Sequence, residues 1–229
     1  ACAVIMKAPT YNFLKNVGRI INSGQSRTVL LTGNIYDLFF LPGKGEGDYV
    51  PLMNFLSASW DLPNLIQIVY ELNGPIQFPR PGDLEKVRDA WFQWRVGFDS
   101  NELAVQRMLA KGQALADLDN VAKVFEDSLR GALNNPTLAL ALLRQMCLCS
   151  RTERNGKRLL EENLLILVEG ADMLMPEAPI HGLSDTDRHR VTICTDWFND
   201  PGFLSGPDSV VLLCESRSLV HHRLARLPQ

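Results

Sequence analysis

The fold of this chain is decided by one stretch, Leu164-Leu165-Ile166-Leu167-Val168-Glu169-Gly170-Ala171-Asp172-Met173-Leu174. Its first five residues are apolar, and a run of this length that closes on a glycine predicts a strand buried on both faces of a parallel sheet. In open α/β sheets, ligands bind outside the carboxyl ends of the strands, so Glu169 and Asp172 would face such a crevice. The alternative is a core strand followed by two solvated acids.

Three other short apolar segments predict strands beside this one, because β-branched and aromatic residues are frequent in strands. They are 28–32, 65–72 and 209–214. Strands that alternate with helices form a mainly parallel sheet with helices on both faces. The predicted fold class is therefore α/β, a three-layer sandwich that forms one domain over residues 1–229.

The helices are predicted from apolar residues at helical spacing and from residues that cap helix ends. Residues 83–152 are helical in period throughout and form an insertion between two strands; 151–158 is a basic, turn-rich connector. The segment 35–41 fits either a continued strand or a short helix. Other helices are predicted to start at Thr10, at Pro51, and at Ser184 or Asp185. A final helix is predicted over 216–227.

Composition limits the class of protein. Hydrophobic residues make up 46% of the chain and charged residues 21%, as in ordinary globular domains. A net charge of −3 gives no electrostatic case for nucleic acid or an anionic membrane. No apolar run reaches the roughly 18 residues of a membrane span. We therefore predict a cytoplasmic protein with neither a membrane nor a nucleic-acid partner.

The cysteines and histidines predict no metal site. An odd number of cysteines, with most of them in apolar surroundings, indicates buried free thiols in a reducing compartment. The cysteines are Cys2, Cys147, Cys149, Cys194 and Cys214. The last pair before the central strand, Cys147 and Cys149, lacks zinc-finger spacing, and His221-His222 have no partner at metal-ligand spacing.

Four segments together carry a resemblance to the AAA+ ATPases. Residues 165–174 resemble their Walker B segment, in which four apolar residues lead into Asp-Glu. Residues 210–219 resemble the sensor-1 strand, and 224–226 resembles the helix that leads to arginine-finger positions. Residues 29–33 are similar to the strand that delivers the phosphate-binding P-loop. The resemblance implies a P-loop-NTPase-like (AAA+-like) sheet.

The phosphate-binding turn departs from the family pattern. A working P-loop ends in Gly-Lys-Ser/Thr, which wraps phosphates with backbone N–H groups and supplies a lysine and a Mg²⁺ ligand. After Gly33 this chain reads Asn34-Ile35-Tyr36-Asp37. Lys44 lies among glycines, but it is followed by Gly45 and lacks a strand-to-helix context. We therefore expect no phosphate cradle.

The Walker B position also departs from the pattern. Glu169 stands where the family has the aspartate that organises Mg²⁺, and Gly170 stands where it keeps the glutamate that orients the attacking water. Losing a positioned general base costs about 10²–10⁴-fold in rate. The resemblance therefore implies a degenerate module that does not hydrolyse ATP, with no catalytic residue of its own.

The resemblance also implies a set of site residues. Arg223 and Arg226 are candidate arginine fingers that would act on a neighbouring subunit, and helix capping is the simpler role for Asp172 and Ser216. A vestigial nucleotide and Mg²⁺ crevice would be lined by Gly33, Asn34, Glu169, Asp172, Glu215 and Ser216. No cofactor is expected for this chain, since ATP and Mg²⁺ would belong to the parent protein.

The first functional hypothesis is a regulatory, assembly or client-binding module of a larger bacterial-type AAA ATPase. Its partners would be other domains or subunits of that protein, or a protein client. AAA+ sheets carry a fifth strand and a helical lid after sensor 1, and the sequence ends at Gln229 before either. Two alternatives are an α/β domain that binds a divalent cation or another ligand through strand-tip acids, and a helical interaction module over 83–152.

Overall fold

The computed structural model describes residues 11–43, 47–98 and 100–227. The strands, in chain order, are β1 (Thr28–Thr32), β2 (Leu38–Leu41), β3 (Asp48–Pro51), β4 (Leu65–Tyr70), β5 (Ile76–Gln77), β6 (Glu153–Arg154), β7 (Lys157–Arg158), β8 (Asn163–Glu169) and β9 (Ser209–Cys214). The helices are α1 (Asn12–Asn22), α2 (Leu52–Ser59), α3 (Asp83–Val96), α4 (Ser100–Leu109), α5 (Gln113–Ala132), α6 (Pro136–Arg151), α7 (Ala171–Leu174), α8 (Asp185–Phe198) and α9 (Pro201–Leu204).

The central sheet has the strand order β1-β9-β8-β4-β5 within the described residues. β1, β9, β8 and β4 are parallel to their neighbours, which confirms the predicted sheet. Strand β5 was not predicted: it runs antiparallel to β4 after a tight turn, in which Gly74 N–H donates to Glu71 O at 2.8 Å. The fold is therefore α/β with a mostly parallel sheet.

The central strand β8 is buried on both faces. Leu164, Ile166 and Val168 face one hydrophobic core, which is covered by α3, α5, α6 and α8. Leu165 and Leu167 face a second core, which is formed with α1 and α2. This alternation follows from the two-residue period of a strand. Helices therefore cover both faces of the sheet, as the three-layer prediction requires.

The helical period over 83–152 corresponds to the consecutive helices α3, α4, α5 and α6. At the start of α6, the Asn135 Oδ1 atom accepts a hydrogen bond from Leu138 N–H at 3.2 Å, and Pro136 occupies the first helical turn. Helix α6 packs against β8 and α8, so the last part of this segment belongs to the helical layer over the sheet.

Two segments between the predicted strands and helices form hairpins. They are 35–41, which fits either a strand or a helix by sequence, and the basic connector 151–158. The segment 35–41 is a turn followed by β2, which pairs antiparallel with β3. The basic connector contains the hairpin β6–β7, whose turn residues Asn155 and Gly156 have φ of 50° and 75°. The predicted helix start at Pro51 is displaced by one residue, because Pro51 ends β3 and α2 begins at Leu52.

The predicted final helix over 216–227 is wrong. A short 3₁₀ helix at Arg217–Leu219 is followed by an extended segment, where Val220 forms an antiparallel bridge with Pro176. On either side of that bridge, backbone hydrogen bonds tie the same segment to the loop after α7. The backbone groups that a helix would need are therefore used in a long-range pairing.

The remaining sequence predictions divide into those that fall on described residues and those that do not. The helix start at Ser184 is confirmed, because its side chain caps α8 by accepting from Asp187 N–H at 3.0 Å. Thr10, Lys44 and Cys2 lie outside the described residues. The four described cysteines are buried and free, as predicted: Cys147, Cys149, Cys194 and Cys214. Among the helices of the described residues, none combines the length with the hydropathy that a membrane-spanning segment requires.

Candidate functional site

The carboxyl ends of the four parallel strands lie side by side at one edge of the sheet. The last residues of β1, β9, β8 and β4 pair in register, with Thr32 opposite Cys214 and Glu169 opposite Leu213. The residues predicted to line a crevice follow directly after three of these strand ends. They are Gly33 and Asn34 after β1, Glu169 and Asp172 at and after the end of β8, and Glu215 and Ser216 after β9.

The turn after β1 uses its backbone donors within the fold. Gly33 N–H points across the sheet edge, where it donates to both Cys214 O at 3.3 Å and Glu215 O at 3.2 Å. Ile35 N–H donates back to Gly33 O at 2.9 Å. The chain then continues into the hairpin strand β2, whereas a phosphate loop runs into the N-terminus of a helix. These two backbone donors are therefore already paired within the fold.

An apolar cavity of about 120 Å³ lies beside this turn. Most of its lining is hydrocarbon, contributed by Phe13, Leu31, Ile35, Phe39 and Leu52. Beneath it, Phe39 stacks on Phe55 with ring centroids 5.5 Å apart, and Tyr11 meets Phe55 edge-on at 5.2 Å. These five hydrocarbon side chains would offer an anionic phosphate no hydrogen-bond donor.

The sheet edge carries negative charge. The pKa of Tyr36 is raised, first by slight desolvation and then by the negative charges of Glu215, Glu169 and Asp172. Burial, and then the charge of Glu71, raises the pKa of Glu169. Both shifts favour the protonated form, as expected where negative charges act on an acidic group. A triphosphate would meet repulsion at this edge unless a cation accompanied it.

Gly170 has a backbone role at the position where the family keeps a glutamate. Its φ is +73°, and it caps α7 in the left-handed conformation that an L side chain adopts at a cost. A Cβ atom at this position would lie 3.5 Å from Leu72 Cβ, an ordinary contact, so the restriction comes from the backbone. A glutamate in this turn would be strained.

The residues after β9 form a 3₁₀ helix capped by Ser216, and farther along the chain a turn region with exposed arginines. Ser216 Oγ accepts from Ser218 N–H at 3.3 Å, so Ser216 caps the 3₁₀ helix. The side chains of Arg223 and Arg226 are exposed on hydrogen-bonded turns instead of on a helix. Both line a groove of about 510 Å³ against the end of α8, and this groove is separate from the residues that follow β1.

One cluster was missed by the sequence analysis. Glu177, His221 and His222 each offer a ligand atom, and these three atoms lie within 4.8 Å of one another. Burial, and then the charge of His222, lowers the pKa of His221. Local spacing could not reveal the cluster, because Glu177 lies 45 positions before His222 and joins it through the pairing of two loops.

Comparisons with known proteins agree with the resemblance. Residues 7–229 match the model of the family described as AAA+ chaperone, N-terminal Rossmann-like domain. No curated relative matches the chain. A chain of the HORMA:CdnC:Trip13 complex from E. coli MS115-1 is 13% identical to this chain, with a TM-score of 0.26. The match covers 76% of this chain and 53% of that one. A similarity this low carries no argument. The chain belongs to the family of AAA+ chaperone N-terminal Rossmann-like domains.

Proposed function

We propose that this chain is the non-hydrolysing N-terminal module of a cytoplasmic AAA+ chaperone, folded as one domain, and that it serves assembly, regulation or client binding. One observation carries the proposal: Gly33 N–H is hydrogen-bonded to the backbone after β9, so the turn that would grip a triphosphate is closed. Phosphoryl transfer depends on such positioned donors and on a metal clamp. ATP and Mg²⁺ would act in the rest of the parent protein.

In the proposed module the strand ends carry negative charge. The charges of Glu169, Asp172 and Glu215 all raise the pKa of the Tyr36 phenol. Three of the predicted crevice residues therefore contribute negative charge to the same edge of the sheet. In this proposal Gly33, Asn34 and Ser216 mark the rest of a vestigial crevice, with backbone and capping roles in place of nucleotide contacts.

Exposed apolar side chains on α4 support a role in binding protein partners. Val105, Met108 and Leu109 are 52%, 83% and 69% exposed, and their spacing places them on one helical face. Helices in globular proteins bury such a stripe against another element. We propose that α4 contacts another domain or subunit of the parent protein, or a client, and that Arg223 and Arg226 reach a neighbouring subunit.

Nucleotide binding and turnover by the 229-residue chain test the absence of hydrolysis. We expect calorimetry with ATP and Mg²⁺ to show no binding, and phosphate release to stay at the level of the buffer. Glu169→Gln should change neither result, and neither should Glu161→Gln, a control for an exposed acid near the other end of β8. ATP turnover that Glu169→Gln abolishes and Glu161→Gln leaves intact would overturn the proposal.

Binding to the remaining domains of the parent protein tests the partner role of α4. Met108→Asp should weaken binding without changing thermal stability, because the side chain is largely exposed. Leu62→Asp is the matched control, since Leu62 is also exposed, at 52%, but lies between α2 and β4. Equal binding by both variants would argue against α4 as the contact surface.

A divalent cation at the acidic edge is the second candidate function. The observation in its favour is that the charges of Glu169, Asp172 and Glu215 all raise the pKa of Tyr36, and hard cations prefer carboxylate oxygens. Mg²⁺ or Mn²⁺ would then raise the melting temperature, and Asp172→Ala would remove that rise. A melting temperature that no divalent cation changes through Asp172 would exclude this function.

A further inference from the structure

Two loops that leave the carboxyl edge of the sheet are joined into a small antiparallel pair. One follows α7 and contains Glu177, and the other follows β9 and contains His221 and His222. Glu177 N–H donates to Leu219 O, and His221 N–H donates to Met175 O, each at 2.8 Å. Between these bonds lies the bridge formed by Pro176 and Val220. The backbone therefore fixes the relative positions of the three side chains.

The side chains lie at distances that suit a shared metal ion. Glu177 Oε2 is 3.5 Å from His222 Nδ1, and the two imidazole rings have their centroids 4.2 Å apart. Two ligands about 2.1 Å from a tetrahedral Zn²⁺ are about 3.4 Å apart, so the carboxylate and His222 are close to that spacing. All three ligand atoms lie within 4.8 Å of one another, so a small shift of the His221 ring would bring its nitrogen into the same coordination shell.

We propose that Glu177, His221 and His222 bind one divalent transition-metal ion, with Zn²⁺ as the reference ion. Two imidazole nitrogens and a carboxylate oxygen form a three-residue set that zinc sites use, with a further position open to water or another ligand. Imidazole ligands favour Zn²⁺, Ni²⁺ or Co²⁺ over Mg²⁺ and Ca²⁺, which prefer oxygen. This site is separate from the acidic strand ends and does not depend on the proposed function.

Hydrogen bonds around the cluster already orient its members. The Glu177 carboxylate accepts from His222 backbone N–H at 2.6 Å through Oε2, and the second lone pair of that oxygen remains available for a metal ion. His221 is 3% exposed, and its Nδ1 accepts from Arg223 N–H at 3.3 Å. A metal ion would replace that long hydrogen bond or bind the other ring nitrogen. Either way it would cross-link the loops that leave β8 and β9.

Calorimetry with ZnCl₂ on the reduced 229-residue chain tests the site. We expect one Zn²⁺ per chain, and binding at least about tenfold weaker in His222→Ala and Glu177→Gln, since loss of even an outer-shell partner costs about that much. His222 is exposed and Gln keeps the acceptor for His222 N–H, so both variants should fold. His189→Ala, an exposed histidine on α8, should bind as the wild type does.

Two further measurements separate this site from adventitious binding. Zn²⁺ at about 100 times its Kd should raise the melting temperature of the wild type by about 5 °C, and this rise should be absent in His222→Ala. The Co²⁺ form should show no thiolate charge-transfer band, because the ligands are nitrogen and oxygen. Equal Zn²⁺ binding by His222→Ala and His189→Ala, a thiolate band, or no binding by the wild type would overturn the proposal.

Discussion

Asp208 makes the stability of this fold depend on pH in a direction that can be predicted. The side chain precedes β9 and is 2% exposed. Its Oδ1 atom accepts from Leu164 N–H at 2.8 Å and from Ser150 Oγ at 2.9 Å, so it connects the start of β8 to α6. Burial raises its pKa from 3.8 to about 6, although these two hydrogen bonds favour the charged form.

The sign and size of the effect follow from proton linkage. Because the folded pKa lies above the unfolded one, the folded chain binds more protons between about pH 4 and 6, and its stability falls as pH rises through that window. A shift of about two pKa units corresponds to about 3 kcal/mol of unfolding free energy. About 2 kcal/mol of this should be lost between pH 4 and pH 7.5.

Urea unfolding of the wild type and Asp208→Asn at several pH values isolates this contribution. The constant offset of the asparagine cancels in the pH dependence, so the wild type should lose about 2 kcal/mol relative to the variant between pH 4 and pH 7.5. Asp200→Asn is the control, because the hydrogen bond from Arg151 lowers the pKa of Asp200. Relative to Asp200→Asn, the wild type should not lose stability as pH rises. A difference between the wild type and Asp208→Asn that does not change with pH would refute the reasoning.

Three further predictions concern single positions. Gly170→Ala should lower the unfolding free energy by about 1 kcal/mol in urea, because φ is +73°; an unchanged value would show that the turn relaxes. Asn135→Ala should cost about 1 kcal/mol through the lost cap of α6, and Asn135→Asp, which keeps the acceptor, should cost less. Burial raises the pKa of Cys194 to about 12 and also raises the pKa of Cys147, so a thiol reagent should label both slowly in the native chain and rapidly in urea. Rapid native labelling would contradict their burial.

The sheet could be predicted because its strands carry their own signal. The run 164–168 is apolar at every position, and in the structure each side chain is at most 5% exposed. Burial on both faces is what such a run requires, so no distant information was needed. Strand β5 gave no such signal: it has two residues, and its pairing depends on the tight turn at Gly74.

The segment after β9 shows what sequence alone could not reveal. Residues 216–227 were predicted as a helix, yet Leu219 and His221 bond to the loop after α7. A pairing between segments more than 40 residues apart leaves no local period in the sequence. The histidine and glutamate cluster depends on the same pairing, and it was missed for the same reason.

In the proposed non-hydrolysing module, the distribution of burial would explain how an AAA+-type sheet persists without phosphate-binding chemistry. Substitutions at exposed positions such as Asn34 and Glu215 generally change stability by about 0.5 kcal/mol or less. Large-to-small changes at buried strand positions such as Ile166 or Leu212 cost about 2–5 kcal/mol. Selection for folding therefore constrains the residues inside the strands. Residues at the strand ends are constrained mainly by any ligand that they bind. If another domain carries hydrolysis, as proposed, stability alone would preserve the sheet while its ends could change.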